Sequence, residues 1–342
     1  MSHRPLGLFD QEARHRKLES LGDPLVVLNR IVLWEMFRER LEAATRAGRD
    51  PRRGGRPPYD VIVMFKILVL RELYALSDEQ VEYQVADRLS FQRFLGIGIE
   101  HAVPDYTAVW RFRERLRGEV MTELFQTLGH YIDMAGFEAK KGQMLDASLV
   151  ARSKTRKPVQ PKDGEAALTV QQAAHRDADA DWTKKHGRSY FGYKNHVNAD
   201  VAHGFIRAYA VTPASGSVHD SQRISALLDV SSRQKGRPLY GDSAYRSAET
   251  TQRCQRHGLV DRTHYKAHRN RPLTAQQEGW NTLRSKVRAR VEHVFARIDP
   301  FRRGRPLRCT GLERAAVCLG LINLVHNLRR LMTMHRLATE EA

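Results

Sequence analysis

The sequence predicts an α/β protein in two parts: an all-helical N-terminal region and a mixed-sheet domain after it. Three observations carry this. Helix signals fill the first 137 residues, β-rich runs appear only after Phe137, and those runs are interleaved with helical stretches rather than with further strands. A boundary at 137/138 therefore divides the chain into 1–137 and 138–342.

In the first part, "DPLVVLNRIVLWEMFRERLEAATRAG" reads as one helix, with Asp23 fitting an N-cap, Pro24 the first turn and Gly48 the stop. Residues 46–58 form a basic, Gly/Pro-rich linker with five arginines. "YDVIVMFKILVLRELYAL" is apolar nearly all round, the pattern of a buried helix. "SDEQ" at 77–80 is a capping box that opens the next helix. "PDYTAVWRFRERLRGE" alternates arginines with Trp110 and Phe112, where core packing is the better reading of Trp110 than base stacking. "MTELFQTLGHYIDMAGF" then runs to Gly136.

In the second part "GQMLDASLV" (142–150) reads as a strand. Residues 152–187 are polar and without periodicity, a loop or insertion. "YFGYKNHVNADVAHGFIRAYAVTPASG" gives two β-rich runs around a turn at Ala202 to Gly204, a hairpin. "SVHDSQRISALLDVSSR" reads as helix, "RPLYGDSAY" as a strand ending in a loop, and "SAETTQRCQRHG" as a helix capped by Ser247. Helical stretches near 275–299 and 311–336 complete the chain, the latter around the apolar run "AAVCLGLINLV", which is too short to span a bilayer and reads as a buried helix.

Composition narrows the function. At 342 residues, 41% hydrophobic and 28% charged, the chain is that of a globular protein with ample core. Its formal net charge is +18 and its pI about 10.1, a field that draws polyanions, nucleic acid first among them. Cys254, Cys309 and Cys318 have no CxxC or Cys/His spacing, which argues against a zinc site or a disulfide framework and fits a reducing cytosol. No signal-peptide pattern opens the chain, so a cytoplasmic, nucleoid-associated protein without a membrane partner is expected. No GxxxxGK[ST] stretch is present, so no nucleotide cofactor is expected.

Three acids stand out by position. Asp146 lies inside a strand, where aspartate is disfavoured, and shares a face with Met144, Ser148 and Val150. Asp242 follows "PLYG" at the carboxyl end of a strand, where α/β sheets present functional groups. Each has a bland alternative: Asp146 as a bonded edge residue, Asp242 as a turn cap. Glu292 sits in "RVEHVFARI", inside a stretch from Arg284 to Arg308 with nine basic residues against two acids. It is either an ion-pair partner on its helix or a carboxylate emerging at the edge of the core. At 100° per residue it lies on a shoulder of the stripe Val287, Val291, Val294, Phe295 and Ile298, with Arg288 one turn earlier on the same shoulder. Together the three acids are the donor set that two-metal phosphoryl transfer requires. Mg²⁺ suits such oxygen ligands, and the surrounding arginines would offset phosphate charge.

From about 55 to 330 the sequence resembles bacterial insertion-sequence transposases of the DDE type, in the branch conventionally numbered five. The resemblance rests on "GRPPYDVIVMFKILVLRELYALSDEQVEYQVADRLSFQRFLG", "QMLDASLV", "VTPASGSVHDSQ", "YGDSAYRS" and "RARVEHVFARI" taken together. It implies an RNase H-like catalytic domain with Asp146, Asp242 and Glu292 as catalytic triad and metal ligands. Two Mg²⁺ ions are implied, with Mn²⁺ able to substitute. The implied partners are the double-stranded DNA of terminal inverted repeats and target, with at least a homodimer assembled on them. Region 1–137 would serve end binding and dimerisation, and Arg284, Lys286, Arg288 and Arg290 the DNA backbone.

The signature around the family's glutamate is Tyr, two residues, Arg, three, Glu, six, Lys. Arg288 and Glu292 match it, but Ser285 holds the Tyr position and Asp299 the Lys position. Asp299 precedes Pro300, so the helix is expected to end there, and Arg302 or Arg303 would have to replace the lysine. These departures motivate a second reading, a decayed relative that binds DNA as a regulator. A third is a basic structural or RNA-associated protein whose acids merely pair with arginines. His219 and Asp220 fall in a family-like stretch, where a turn or cap role suits Asp220. His186, His196 and His203 lack ligand spacing and read as surface or hairpin residues.

Overall fold

A computed structural model describes residues 10–47, 57–98, 100–152, 169, 176–185, 187–215, 224–229, 234–269, 271–302 and 306–340, the side chains of Lys185 and residues 299–302 excepted. The chain divides into two compact units, residues 1–120 with 331–342, and residues 121–330.

The first unit is helical: α1 (Asp10–Ser20), α2 (Pro24–Ile31), a 3₁₀ turn (Trp34–Phe37), α3 (Arg38–Arg46), α4 (Val61–Leu73), α5 (Asp78–Asp87), α6 (Leu89–Leu95) and α7 (Tyr106–Glu114). The single helix expected from Asp23 onward is broken, because Val32 takes extended dihedrals and ends α2. That break lets Trp34 and Phe37 turn inward against Phe65. Asp23 accepts the Leu25 amide as N-cap, and Ser77 and Gln80 form the expected capping box. Helix α4 buries most of its surface, as its composition required. Trp110 is 45% exposed, so the core-packing expectation for it does not hold: α7 turns Val109 and Phe112 inward instead.

The second unit opens with α8 (Val120–Met134), which places Phe125 edge-on against Tyr209. Its sheet comprises β1 (Gln143–Ala151), β2 (Asp181–Lys185), β3 (Arg188–Asp200), β4 (Ile206–Pro213), β5 (Pro238–Gly241) and β6 (Val260–Thr263). The order is β2-β3-β1-β5-β6, with β4 pairing the far part of β3 beside β2. Strands β1, β3 and β4 are antiparallel, while β5 and β6 run parallel to β1. This is the mixed sheet of an RNase H-like domain. Helices α9 (Ile224–Leu227) and α10 (Ala248–Arg256) join β4 to β5 and β5 to β6. Helices α11 (Ala275–Arg288), α12 (Arg290–Arg302) and α13 (Leu312–Glu340) follow, α13 entering the first unit from Leu331.

Two apolar clusters hold the sheet. Leu145, Leu239, Tyr245 and Cys254 pack on one side, and Val150, Tyr193, Ala315 and Leu319 on the other. Buried amides set the register between sheet and helix. Asn195 and Asn323 exchange hydrogen bonds of 2.9 and 3.1 Å, and Asn327 bonds both backbone groups of Ile206. The hairpin turn expected at 202–204 joins β3 to β4. Strand β2 corrects the reading of 152–187 as loop, and Asp177 just before it is fully buried. His196 is buried too, its ring nitrogens 3.1 Å from Tyr245 Oη and 3.0 Å from Thr212 Oγ1. Gly48, His186, His219, Asp220 and Arg303 lie outside the described residues.

Candidate active site

Strand register brings two of the predicted acids together. β1 and β5 pair in parallel with Gln143 opposite Leu239 and Met144 opposite Tyr240. Carried two residues on, the same register sets Asp146 level with Asp242, on neighbouring strands roughly 4.8 Å apart. Asp146 alternates with Leu145 of the apolar cluster, so the two side chains leave opposite faces. Its Oδ1 accepts the Ala147 amide at 2.8 Å and its Oδ2 meets Arg288 Nη1 at 3.0 Å. Asp242 accepts the Ala244 amide through Oδ1 at 2.9 Å, a turn that leaves Oδ2 without a bond among the described residues.

The same register extends to a third strand. β5 pairs β6 with Gly241 opposite Thr263, and the His264 amide donates to the Gly241 carbonyl at 3.0 Å. His264 is therefore level with Asp242, a neighbour the sequence reading missed. Burial lowers its pKa, and the Arg288 and Arg284 guanidinia add to this against the opposing pull of Asp242. Its Nε2 lies 3.4 Å from Ser285 Oγ, the residue at the family's Tyr position.

Helix α11 is seated on this edge by Asn281. Its side chain accepts the Tyr265 amide at 2.8 Å and donates to the Tyr265 carbonyl at 3.1 Å. Arg246 and Arg284 both donate to the Thr263 carbonyl, at 2.8 and 2.7 Å, and both guanidinia lie over the Tyr265 ring. Arg284 is 7% exposed, so its guanidinium is turned inward rather than toward solvent DNA. Lys286 and Arg290 are exposed, and Arg290 Nη1 donates to the Val201 carbonyl at 3.3 Å.

The helix expected over 275–299 is two helices. The ladder breaks at Ala289, whose amide is shared by the Ser285 and Val287 carbonyls, while the Glu292 amide bonds back to Ala289. Arg288 thus closes α11 and Glu292 stands in the first turn of α12, so one continuous helical shoulder does not describe them. The valine stripe holds within α12: Val291, Val294 and Ile298 are buried. Glu292 is exposed, at a helix N-terminus that favours a carboxylate. Among the described residues it makes no ion pair, contrary to the plain ion-pair reading. Helix α12 also runs through Pro300 to Arg302 instead of ending at Asp299; the proline sits in the last turn, where only one ladder bond is forfeited. The Asp299 and Arg302 side chains are outside the described residues.

Two carboxylates at one level of the sheet are hard oxygen donors of the kind Mg²⁺ takes. Among the described residues, no three His, Cys, Asp or Glu side chains gather closely enough to hold a metal ion. Asp146 and Asp242 carry the donor chemistry such an ion takes, and Glu292 forms no group of three with them. No described helix is long and apolar enough to cross a membrane.

Comparison with known proteins gives the family. A model described as transposase domain (DUF772) matches residues 13–115, and one described as transposase DDE domain matches 139–328. The transposase for insertion sequence element IS1106 of Neisseria meningitidis serogroup B is 31% identical over 230 residues, covering 64% of this chain and 78% of that protein. Among solved structures, a piggyBac transposase synaptic complex with hairpin DNA aligns over 95% of this chain and 78% of its own, at 11% identity and a TM-score of 0.47. The Mos1 mariner paired end complex with Mn aligns over 86% of each chain, at 13% identity and a TM-score of 0.21. Likenesses this loose carry no argument about the site. The DDE model spans more than half of the sequence: the chain belongs to the DDE family of insertion-sequence transposases and is a metal-dependent DNA-cleaving and strand-transfer enzyme.

Proposed function

We propose that this transposase cuts DNA at the terminal inverted repeats of its own element and joins the freed 3′ ends to target DNA. The observation that carries the proposal is the parallel register of β1 and β5, which, carried on past the end of β5, sets Asp242 level with Asp146. In this reading the two aspartates hold the metal, and Glu292 completes the set from the first turn of α12, which packs against β1. Two Mg²⁺ ions are the cofactor assigned, replaceable by Mn²⁺; bound there, they would activate the nucleophile and steady the leaving oxygen of an in-line displacement. Water is the nucleophile of cleavage and the freed 3′-hydroxyl that of strand transfer.

Lys286 and Arg290 are the exposed cations placed to neutralise DNA phosphates, with Arg288 at the edge of the acid pair. Arg284 is left out of that set because its guanidinium is buried on Tyr265. The helical first unit is assigned to end recognition, and two element ends call for at least two copies of the chain.

The test is cleavage and strand transfer on a duplex carrying the element's terminal repeat, in Mg²⁺, Mn²⁺ or EDTA, with wild type and Glu292→Gln. The expected result is metal-dependent product that disappears in the variant while DNA binding persists. Product formed in EDTA, or undiminished in Glu292→Gln, would overturn the assignment.

A further inference from the structure

Three strands, not two, reach the level of the acid pair. Asp146 on β1, Asp242 after β5 and His264 after β6 occupy equivalent register positions. The third position is filled by a half-buried imidazole whose surroundings disfavour its charged form, burial first and Arg288 second. A neutral imidazole has one donor and one acceptor nitrogen. The Ser285 hydroxyl lies 3.4 Å from Nε2; donating to it, that hydroxyl would leave the proton on Nδ1. Among the described residues Nδ1 has no hydrogen-bond partner. Ser285 is itself the site where the family signature carries a tyrosine, so the helix here supplies a short hydroxyl and the ring comes from the neighbouring strand.

We propose that His264 is a DNA contact of the transposition reaction, its Nδ1–H donating to a non-bridging oxygen of the phosphate held at the Asp146–Asp242 pair, with Ser285 fixing the ring. This rests on the reading of those two aspartates as the reaction centre. The group is well suited to the task. A full positive charge so near the carboxylates would compete with a metal cation for them, whereas a neutral donor orients a phosphate without doing so. The anchoring is also rigid, because the His264 amide is part of the strand ladder and α11 is clamped by Asn281 to the very next residue.

A role limited to seating α11 on β6 predicts lost stability but no link to any one phosphate. The experiment therefore couples protein and DNA changes. Cleavage rates are measured for wild type, His264→Ala and His264→Asn on end duplexes in which single phosphates around the cut are replaced by neutral methylphosphonates. Melting temperature and end-DNA affinity are followed in parallel. At one phosphate we expect wild type to slow about tenfold to a hundredfold, the range of a lost oriented hydrogen bond. His264→Ala should be slow on unmodified DNA by a similar factor and lose no more at that phosphate. His264→Asn, which keeps a donor, should recover part of the rate. A wild-type rate in His264→Ala would overturn the proposal, and so would additive losses in the two variants at every phosphate tested. Glu292→Gln run beside them separates the two ideas: an active Glu292→Gln refutes the reaction centre, whereas an inactive one with additive His264 effects refutes only the contact.

Discussion

Arg288 Nη1 lies 3.0 Å from Asp146 Oδ2, so a cation from the last residue of α11 already engages one oxygen of a carboxylate assigned to the metal. Both side chains are largely covered, 24% and 17% exposed, which protects their attraction from full screening by solvent. Arg288 is also the matched arginine of the family signature, four residues before Glu292. The break at Ala289 places these two on successive helices, and the arginine reaches the sheet while the glutamate faces outward. The pair therefore links the position of α11 to the charge state of the site.

This contact sets a first expectation, for metal affinity. Two unit charges 4 Å apart interact by about 4 kcal/mol at an effective dielectric of roughly 20, and a guanidinium opposes any cation that shares its carboxylate. Arg288→Ala should bind Mn²⁺ about tenfold more tightly than wild type in a titration followed by electron paramagnetic resonance, yet turn DNA over more slowly. Arg288→Lys should bind metal close to wild type. Equal Mn²⁺ affinity for wild type and Arg288→Ala would show that the ion pair does not compete.

The buried carboxylate of Asp177 sets the second. It is fully buried, pairs with Arg152 at 3.0 Å, accepts Tyr193 Oη at 2.8 Å and takes the Gly311 amide at 3.2 Å. Arg152 reaches on to the Cys309 carbonyl and Thr310 Oγ1, so this cluster ties the end of β1 to the entry of α13. Asp177→Asn keeps the shape but strands a guanidinium that is only 5% exposed. The expected cost is about 3–5 kcal/mol, the range for breaking a buried pair from one side. Urea denaturation monitored by tryptophan fluorescence measures it, and a loss below about 1 kcal/mol would contradict a stabilising role.

Much of this arrangement was legible in the sequence, and the exceptions have physical causes. Asp146 and Asp242 could be singled out because each breaks a local rule, an acid inside a strand and an acid at a strand's carboxyl end. His264 could not, because β6 is the four residues "VDRT", two of them charged, too short to show a period. Strand β2 hid for a similar reason inside a polar stretch, and Asp177 looked like one more solvated acid there. His196 reads as polar surface until Tyr245 and Thr212, distant in sequence, turn out to satisfy both ring nitrogens. The break at Ala289 leaves no mark at all, since "VRARVE" contains neither Gly nor Pro and every residue in it accepts a helix. The level placement of the acids was out of reach altogether: register depends on strand pairing, which no local pattern specifies.

A third expectation concerns acid stability and comes from His326. Burial first, with Arg297, Arg330 and Arg329 adding to it against the bond to the Gly204 carbonyl, lowers its pKa to about 4. The Nε2–H donates to that carbonyl at 3.0 Å, which requires the proton to be on Nε2. The sign follows from linkage: between about 4 and 6.5 the unfolded chain takes up a proton that the native chain does not. Stability is lost as pH falls through that window and levels off below it, by about 3 kcal/mol in total. Asp200 acts with a different window, because bonds from His203 and Arg207 outweigh its burial and hold it below its ordinary value of 3.8. His264 has the same sign as His326, so the test is a difference. Wild type minus His326→Gln, by urea denaturation from pH 4 to 7, should show this slope; parallel curves would rule it out.

The last expectation concerns a close approach of helix to sheet. Gly320 lies in α13, where glycine costs about 1 kcal/mol relative to alanine on propensity alone. An alanine methyl at this position would fall 2.3 Å from Tyr209 Oη and 2.6 Å from Met121 Cγ. Tyr209 is itself packed edge-on against Phe125, so the phenol cannot swing away without disturbing α8. Burial raises its pKa to about 12, which marks an apolar setting with little room for a displaced hydroxyl. Overpacking of this kind costs about 1–3 kcal/mol and should outweigh the propensity gain. Gly320→Ala is therefore expected to melt below wild type, whereas Gly129→Ala, at a helical glycine with open space around its Cβ position, should melt at or above it. A Gly320→Ala variant as stable as Gly129→Ala would mean that α13 can draw back from β4, and that the glycine is not what lets the helix lie so close.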